Sequence, residues 1–144
     1  MSNIVIVFVF LGIVLSGCVA HSPEKELALR SKALNYAECE EEKDCRLKWL
    51  RANEWIDIYK TYPVTVRTES IIQTDGPIIA YANPKPSIRI ERQEKPRGRF
   101  VFVIDVACGN SVGCVPDQYK LMISFNEYLN TGRLIDIRDV EVPK

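Results

Sequence analysis

The chain lacks an excess of charge of either sign: 19 Lys and Arg stand against 19 Asp and Glu. Nucleic-acid binders gather surplus Lys and Arg on one face to neutralise phosphates, so this balance argues against a nucleic-acid partner. Histidine is nearly absent, with His21 the single example in 144 residues. It lies in a stretch that reads as a tether, which leaves a Ser-His-Asp triad, a Cys-His pair and His-based metal sites without their central residue. No phosphate-binding glycine loop, nucleophile elbow or zincin helix occurs. The roughly 20-residue apolar run that a membrane-spanning helix needs is also missing, as are internal repeats and low-complexity tracts.

What is there begins with an apolar stretch from Ile4 to Leu15. It is too short to span a bilayer and of the right length for the core of a signal peptide. It ends at Leu15-Ser16-Gly17-Cys18, which resembles the lipobox of bacterial lipoproteins. In that class small residues admit the lipoprotein signal peptidase and the cysteine thiol carries a diacylglycerol. The resemblance covers only the leader. It implies that residues 1–17 are removed and that Cys18 becomes the acylated N-terminus; the residues that follow read as a tether over 18–22, and the chain length allows one domain over 23–144. The departure from the class is Met1-Ser2-Asn3, which carries no Lys or Arg. Acyl burial contributes about 0.8 kcal/mol per methylene, and more than one chain makes anchoring stable. The expected partner is therefore the membrane, through lipid on Cys18. Val19 rather than Asp follows the cysteine, which by the same resemblance implies the outer membrane, facing the periplasm.

Beyond the tether, Ser22 reads as a helix N-cap, with Pro23 at the first helical position and Glu24 and Glu26 in the first turn. Leu27, Leu34 and Ala37 fall near one stripe. A clearer helical stripe follows at Cys45, Trp49, Ala52, Ile56 and Tyr59. Thr61-Tyr62-Pro63 ends the helical region, because a residue before proline is pushed out of the helical basin. A strand is expected over Val64 to Gln73, then a short apolar run from Ile78 to Tyr81 between two sets of turn residues. A second strand is expected over Ser87 to Gln93, and a charged connection from Glu94 to Gly98 leads to the strongest strand, Arg99 to Ala107. That strand places Phe100, Phe102, Ile104 and Val106 on one face and Val101, Val103 and Asp105 on the other. Apolar residues on both faces predict cover on both sides. Pro116-Asp117 opens an amphipathic helix carrying Tyr119, Met122, Ile123 and Leu129, with Gly132 as its C-terminal cap. Arg133 to Val142 reads as an edge strand or an ordered tail.

This order predicts an α+β domain: an N-terminal helical region, an antiparallel meander of three to four strands, and a second helix packed on the sheet. The layout from "CGNSVGCVPD" into "SFNEYLN" is similar to small bacterial envelope lipoproteins that carry no assigned activity, and it supplies no functional residues.

With Cys18 assigned to lipid, Cys39, Cys45, Cys108 and Cys114 remain, an even count that fits an oxidising compartment. Four cysteines allow three pairings. The polar or glycine-bearing stretches between them favour Cys39 with Cys45 and Cys108 with Cys114. In a continuous helix Cys39 and Cys45 would lie about 9 Å apart and about 120° off-face, beyond the roughly 7 Å that a bridge tolerates. Bonding them requires a break within Glu40 to Asp44, with Asp44 positioned to cap the second helix. Neither pair has the spacing of a thioredoxin-like redox site, and the five residues between the members of each pair exceed the usual zinc-knuckle spacing. No metal and no cofactor is expected.

The remaining candidates divide between chemistry and contact. Asp105, on a strand rich in apolar residues, is the one candidate for carboxylate-dependent hydrolysis, which needs a second carboxylate at suitable separation. Glu40, Glu41, Glu42 and Asp44 lack the alternating ligands and glycine of a calcium loop, so a solvated turn is expected. Arg92, Lys95, Arg97 and Arg99 form a basic hairpin suited to an anionic surface. Trp49 fits the apolar stripe, which leaves Trp55 as the half-exposed tryptophan and a candidate partner contact. Val112 stands between glycines in the ring from Cys108 to Cys114 and is the other candidate contact.

The expectation is a lipid-anchored, non-catalytic envelope protein that binds a protein or cell-wall component. The alternatives are a lipoprotein similar to the small disulfide-bearing inhibitors of lysozyme, and an enzyme of the thiol oxidoreductase or carboxylate-dependent hydrolase type.

Overall fold

A computed structural model describes residues 22–77 and 83–141. The segment expected as a leader (1–17), Cys18, His21 and the run from Ile78 to Tyr81 lie outside the described residues. Three helices accompany a five-stranded antiparallel sheet, which makes the domain α+β. In chain order the elements are α1 (Pro23–Ala33), β1 (Ala37–Cys39), α2 (Glu42–Tyr59), β2 (Val64–Arg67), β3 (Ile71–Thr74), β4 (Pro86–Lys95), β5 (Arg99–Cys108) and α3 (Gln118–Thr131). The strands lie in the order β1-β5-β4-β3-β2.

The first and third helices begin and end for local reasons. Ser22 accepts a hydrogen bond from the Lys25 amide, and Pro23 presets the first turn of α1. Arg30 and Lys32 complement the negative end of the helix. Asp117 caps α3 by accepting from the Lys120 amide at 3.0 Å. Gly132 ends α3 in the left-handed conformation at φ 71°, as its sequence position predicts.

The N-terminal region departs from the expected pair of helices. α1 stops at Ala33, and Ala37 to Cys39 instead form an edge strand, with Ala37 opposite Phe102 and Cys39 opposite Phe100. The alternation buried, exposed, buried along Ala37-Glu38-Cys39 is that of a strand. α2 then starts at Glu42, with Glu41 as an N-cap that makes no side-chain bond. Asp44 is therefore not the cap. It stands in the first turn and accepts from Lys48 Nζ at 2.9 Å, while the same ammonium donates to the Glu38 carbonyl of β1.

The stretch expected as one strand over Val64 to Gln73 is a hairpin of β2 and β3. Thr68 reverses the chain: its hydroxyl accepts from the Ser70 amide at 3.2 Å and the Ile71 amide at 2.9 Å. Such local side-chain bonding competes with strand pairing. β4 runs on to Lys95, past the expected end at Gln93, and pairs with β5 through Lys95 opposite Arg99. The segment after α3 is an ordered tail rather than an edge strand. It holds a 3-10 turn at Ile137–Asp139, and Ile137 and Val140 are buried.

One face of the sheet carries the core. Ile72, Ile88, Ile90, Phe102, Ile104 and Val106 form a single cluster with Leu29 and Ala33 of α1, Trp55 and Ile56 of α2, and Leu121, Phe125 and Leu129 of α3. The other face presents Ser87, Arg89, Glu91 and Gln93 of β4 beside Val101, Val103 and Asp105 of β5. The expected cover on both sides is thus corrected: among the described residues the helices pack on one face. Val101 is nevertheless only 6% exposed. It stands between Glu38 and Gln93 in the register.

Candidate functional site

Two disulfides close two rings. Cys39 bonds Cys45 with their Cα atoms 5.2 Å apart, and Cys108 bonds Cys114 at 5.6 Å. The first joins β1 to the first turn of α2 and is buried. The second closes the loop that leaves the C-terminal end of β5.

That second loop is held from inside and outside. Asn110 accepts through Oδ1 from the Val112 and Gly113 amides, each at 2.9 Å, and donates through Nδ2 to the Asn83 carbonyl. Gly113 takes φ 109°, a conformation closed to most other residues. The Val115 amide donates to the Pro84 carbonyl at 2.9 Å, which fixes the loop to the segment entering β4. The side chains left over point away from this frame: Val112 is 80% exposed and Val115 is 68% exposed. The sequence singles out Val112. Val115 goes unmarked because its exposure arises from the fold rather than from its neighbours.

Trp55 is not a surface contact. It is fully buried, donates from Nε1 to Ser124 Oγ at 3.3 Å, and packs against Tyr59 at 4.8 Å and Phe125 at 5.3 Å between ring centroids. Trp49 is the partly buried tryptophan. The roles expected of the two are exchanged because α2 packs on both the sheet and α3, which widens its buried face to take in Trp55 and Ile56 together.

Asp105 is exposed on the open face, opposite Arg89 in the register. It borders a shallow hollow of about 240 Å³ that includes Gln73, Thr74, Ser87 and Arg89. No second carboxylate lines that hollow among the described residues, so the pair that hydrolysis requires is not assembled there. Arg89 is engaged elsewhere, donating to Glu91 and Gln73. Hydrogen bonds from Gln93 and Arg89 hold the Glu91 carboxyl below its ordinary range. The Tyr36 hydroxyl is pushed up, first by burial and then by the charge of Asp105.

The basic hairpin does not act as one patch. Lys95 and Arg97 are exposed at the tip, and Arg99 pairs with Glu38 at 3.6 Å. Arg92 turns to the helical side, opposite Phe102 in the register, with its guanidinium 5.9 Å from the Trp49 ring and 5.0 Å from the Phe100 ring. Residue parity carried that signal, since Arg92 shares the face of Ile88 and Ile90.

Among the described residues no group of three or more His, Cys, Asp or Glu side chains is arranged to hold a metal, and no helix is long and apolar enough to cross a membrane. In comparison with known proteins, no family, no curated protein and no solved structure matches the chain.

Proposed function

We propose that this chain is a lipid-anchored envelope protein, attached through Cys18, that binds an envelope protein or cell-wall component without catalysing a reaction. The observation that carries this reading is the loop from Cys108 to Val115. A disulfide, three hydrogen bonds of Asn110 and the Val115 amide bond fix its backbone, while Val112 and Val115 project into solvent. A loop already ordered before contact loses little conformational entropy on binding, and two apolar tips on it gain by burial in a partner. A loop-inserting lysozyme inhibitor would use the same element, which makes lysozyme the first partner to assay.

The test places a photo-crosslinking residue at Val112, at Val115 or, as a control, at Glu69 in the distant turn between β2 and β3, in the full chain in its own membrane. A shared adduct from the two loop positions, absent from Glu69 and abolished by Cys108→Ser with Cys114→Ser, is the expected result. Identical adducts from all three positions, or none from the loop, would remove the proposal. Inhibition of lysozyme by the detergent-solubilised chain at micromolar concentration would name the partner class.

A further inference from the structure

Among the described arginines, Arg92 is the one with a side-chain nitrogen that is buried and has no hydrogen-bond partner. Arg51 donates to the Leu129 carbonyl, Arg67 to Asn53 and Asp57, Arg89 to Glu91 and Gln73, and Arg138 to Asp136, while Arg46 and Arg99 pair with Glu42 and Glu38. The Arg92 guanidinium instead rests against the rings of Trp49 and Phe100, and its Nε is buried with no hydrogen-bond partner. Aromatic faces satisfy the charge of a guanidinium in part but leave its in-plane donors without acceptors. A buried N–H with no acceptor is uncommon in a native fold and calls for an explanation, of which a bound group beside it is one.

The space beside it has the size and lining for a small ligand. A cavity of about 400 Å³ opens between the first turn of α2 and the β4–β5 hairpin, lined by Arg92, Phe100, Gly98, Cys45, Arg46 and two glutamates. Pockets from about 300 Å³ upward accept small molecules. The walls are set by covalent and stacked groups: the Cys39–Cys45 bridge fixes the start of α2, and Trp49, one turn after Cys45, stacks on Phe102 at 6.4 Å.

We propose that this cavity binds a carboxylate group, held in the plane of the Arg92 guanidinium, with the apolar part of the same molecule lying against Phe100. The fork of an arginine matches two carboxylate oxygens, which is the pairing a lysine cannot reproduce. Glu40 and Glu42 line the cavity together with Arg46 and Arg92, so the formal lining charge is balanced; an anion is held there by the Arg92 donors rather than by net charge, and the glutamates repel a phosphate dianion more than a monoanion. The site lies at the opposite end of β5 from the loop of Cys108, about 27 Å away along the strand, and does not depend on the function proposed for that loop.

The experiment uses the full chain in detergent micelles. It follows Trp fluorescence and the arginine Nε–H resonances while titrating acetyl-dialanine, its C-terminal amide, acetyl-glutamate methylamide and inorganic phosphate. Saturating binding of a free carboxylate about tenfold tighter than the amide, with a shift of the resonance that Arg92→Lys removes, is the expected result. Which of the dipeptide and the glutamate derivative binds distinguishes a chain-terminal from a side-chain carboxylate. Equal response to acid and amide, no saturation by either carboxylate up to about 10 mM, tighter binding of phosphate, or full discrimination retained in Arg92→Lys would each overturn the proposal. The comparison of acid with amide needs only the unaltered chain, so the test holds even if Arg92→Lys does not fold.

Discussion

The indole of Trp55 and the hydroxyl of Ser124 meet in the centre of the core, both fully buried, and each is the other's polar neighbour across α2 and α3. Trp55→Ala removes the largest side chain of the core and leaves a cavity, so a loss of about 3–5 kcal/mol is expected. Ser124→Ala removes few atoms but leaves the Trp55 N–H without an acceptor, for a smaller expected loss of about 1–3 kcal/mol. Urea unfolding monitored by circular dichroism measures both, and a neutral Ser124→Ala would show that the indole finds another partner. A second buried hydroxyl repairs the sheet: Thr74 Oγ1 accepts from the Ile88 amide at 2.9 Å and donates to its carbonyl at 3.3 Å. Thr74→Val keeps the shape and removes both bonds, so it too is expected to lose about 1–3 kcal/mol in the same measurement, while Thr74→Ser retains most of the stability. The sequence pattern reads Trp55 as half exposed, because its buried role is not visible without the helix on the far side. It did pair the four cysteines as the structure does, since a six-residue separation across polar or glycine-bearing stretches is a local property.

At the scale of elements, the missed pieces are the short ones. A three-residue strand such as β1 has no period to read, and its existence depends on the open edge of β5 rather than on its own composition. The longer elements, α3 and β5, were legible from period and caps, although the cover expected on the second face of β5 was not found. The Cys39–Cys45 ring compensates for an α2 N-terminus that lacks a capping side chain. Cys39→Ser with Cys45→Ser is expected to lose about 2 kcal/mol in the loop-entropy account, with no change for a Cys108→Ala, Cys114→Ala chain at the α2 end of the fold. Hydrogen exchange at the first turn of α2 checks where the loss falls. At the other end of α2, Asp57 accepts from Lys60 and from Arg67 of β2, each at 2.9 Å. The Lys60 hydrogen bond is the largest influence on its carboxyl; burial opposes it, and the charges of Arg67 and Lys60 with the Arg67 hydrogen bond add to it, so the group is held below the ordinary value of 3.8. A carboxylate depressed in the folded state contributes stability above its unfolded pKa and loses that contribution as the pH falls through the folded value. The midpoint of thermal unfolding should therefore drop, as the pH falls below the ordinary carboxyl value of 3.8, by less in Asp57→Asn than in the unaltered chain. Because Asp57 is half exposed, the difference is small, and parallel curves would show that the tie between α2 and β2 contributes nothing measurable.

Among the described residues the molecule is a single helical layer on one sheet, closed by ties between distant parts of the chain. Asn126 of α3 donates to the Ala33 carbonyl that ends α1, Arg51 of α2 donates to the Leu129 carbonyl of α3, and Tyr59 donates to the Ile135 carbonyl of the tail. The α+β class and the order of helix, strands and helix were legible because each follows from local periodicity. The ties were not, because they link residues that sequence separation hides. The candidate site was legible only in part: Val112 and the ring around it were marked, whereas Arg92 was grouped with its charged neighbours until register set it on the opposite face. α1 begins at Pro23, five positions after Cys18, so a lipid on Cys18 would hold the helical layer next to the membrane surface. Intact mass spectrometry of the membrane-extracted chain, alkylated without and then with reduction, should show loss of residues 1–17, an acylated Cys18, no alkylation before reduction and four alkylated thiols after it. A mass that retains the leader or lacks acyl chains would detach the anchored reading from a fold that does not depend on it. Free thiols before reduction would bring redox chemistry at Cys39, Cys45, Cys108 and Cys114 ahead of a binding role.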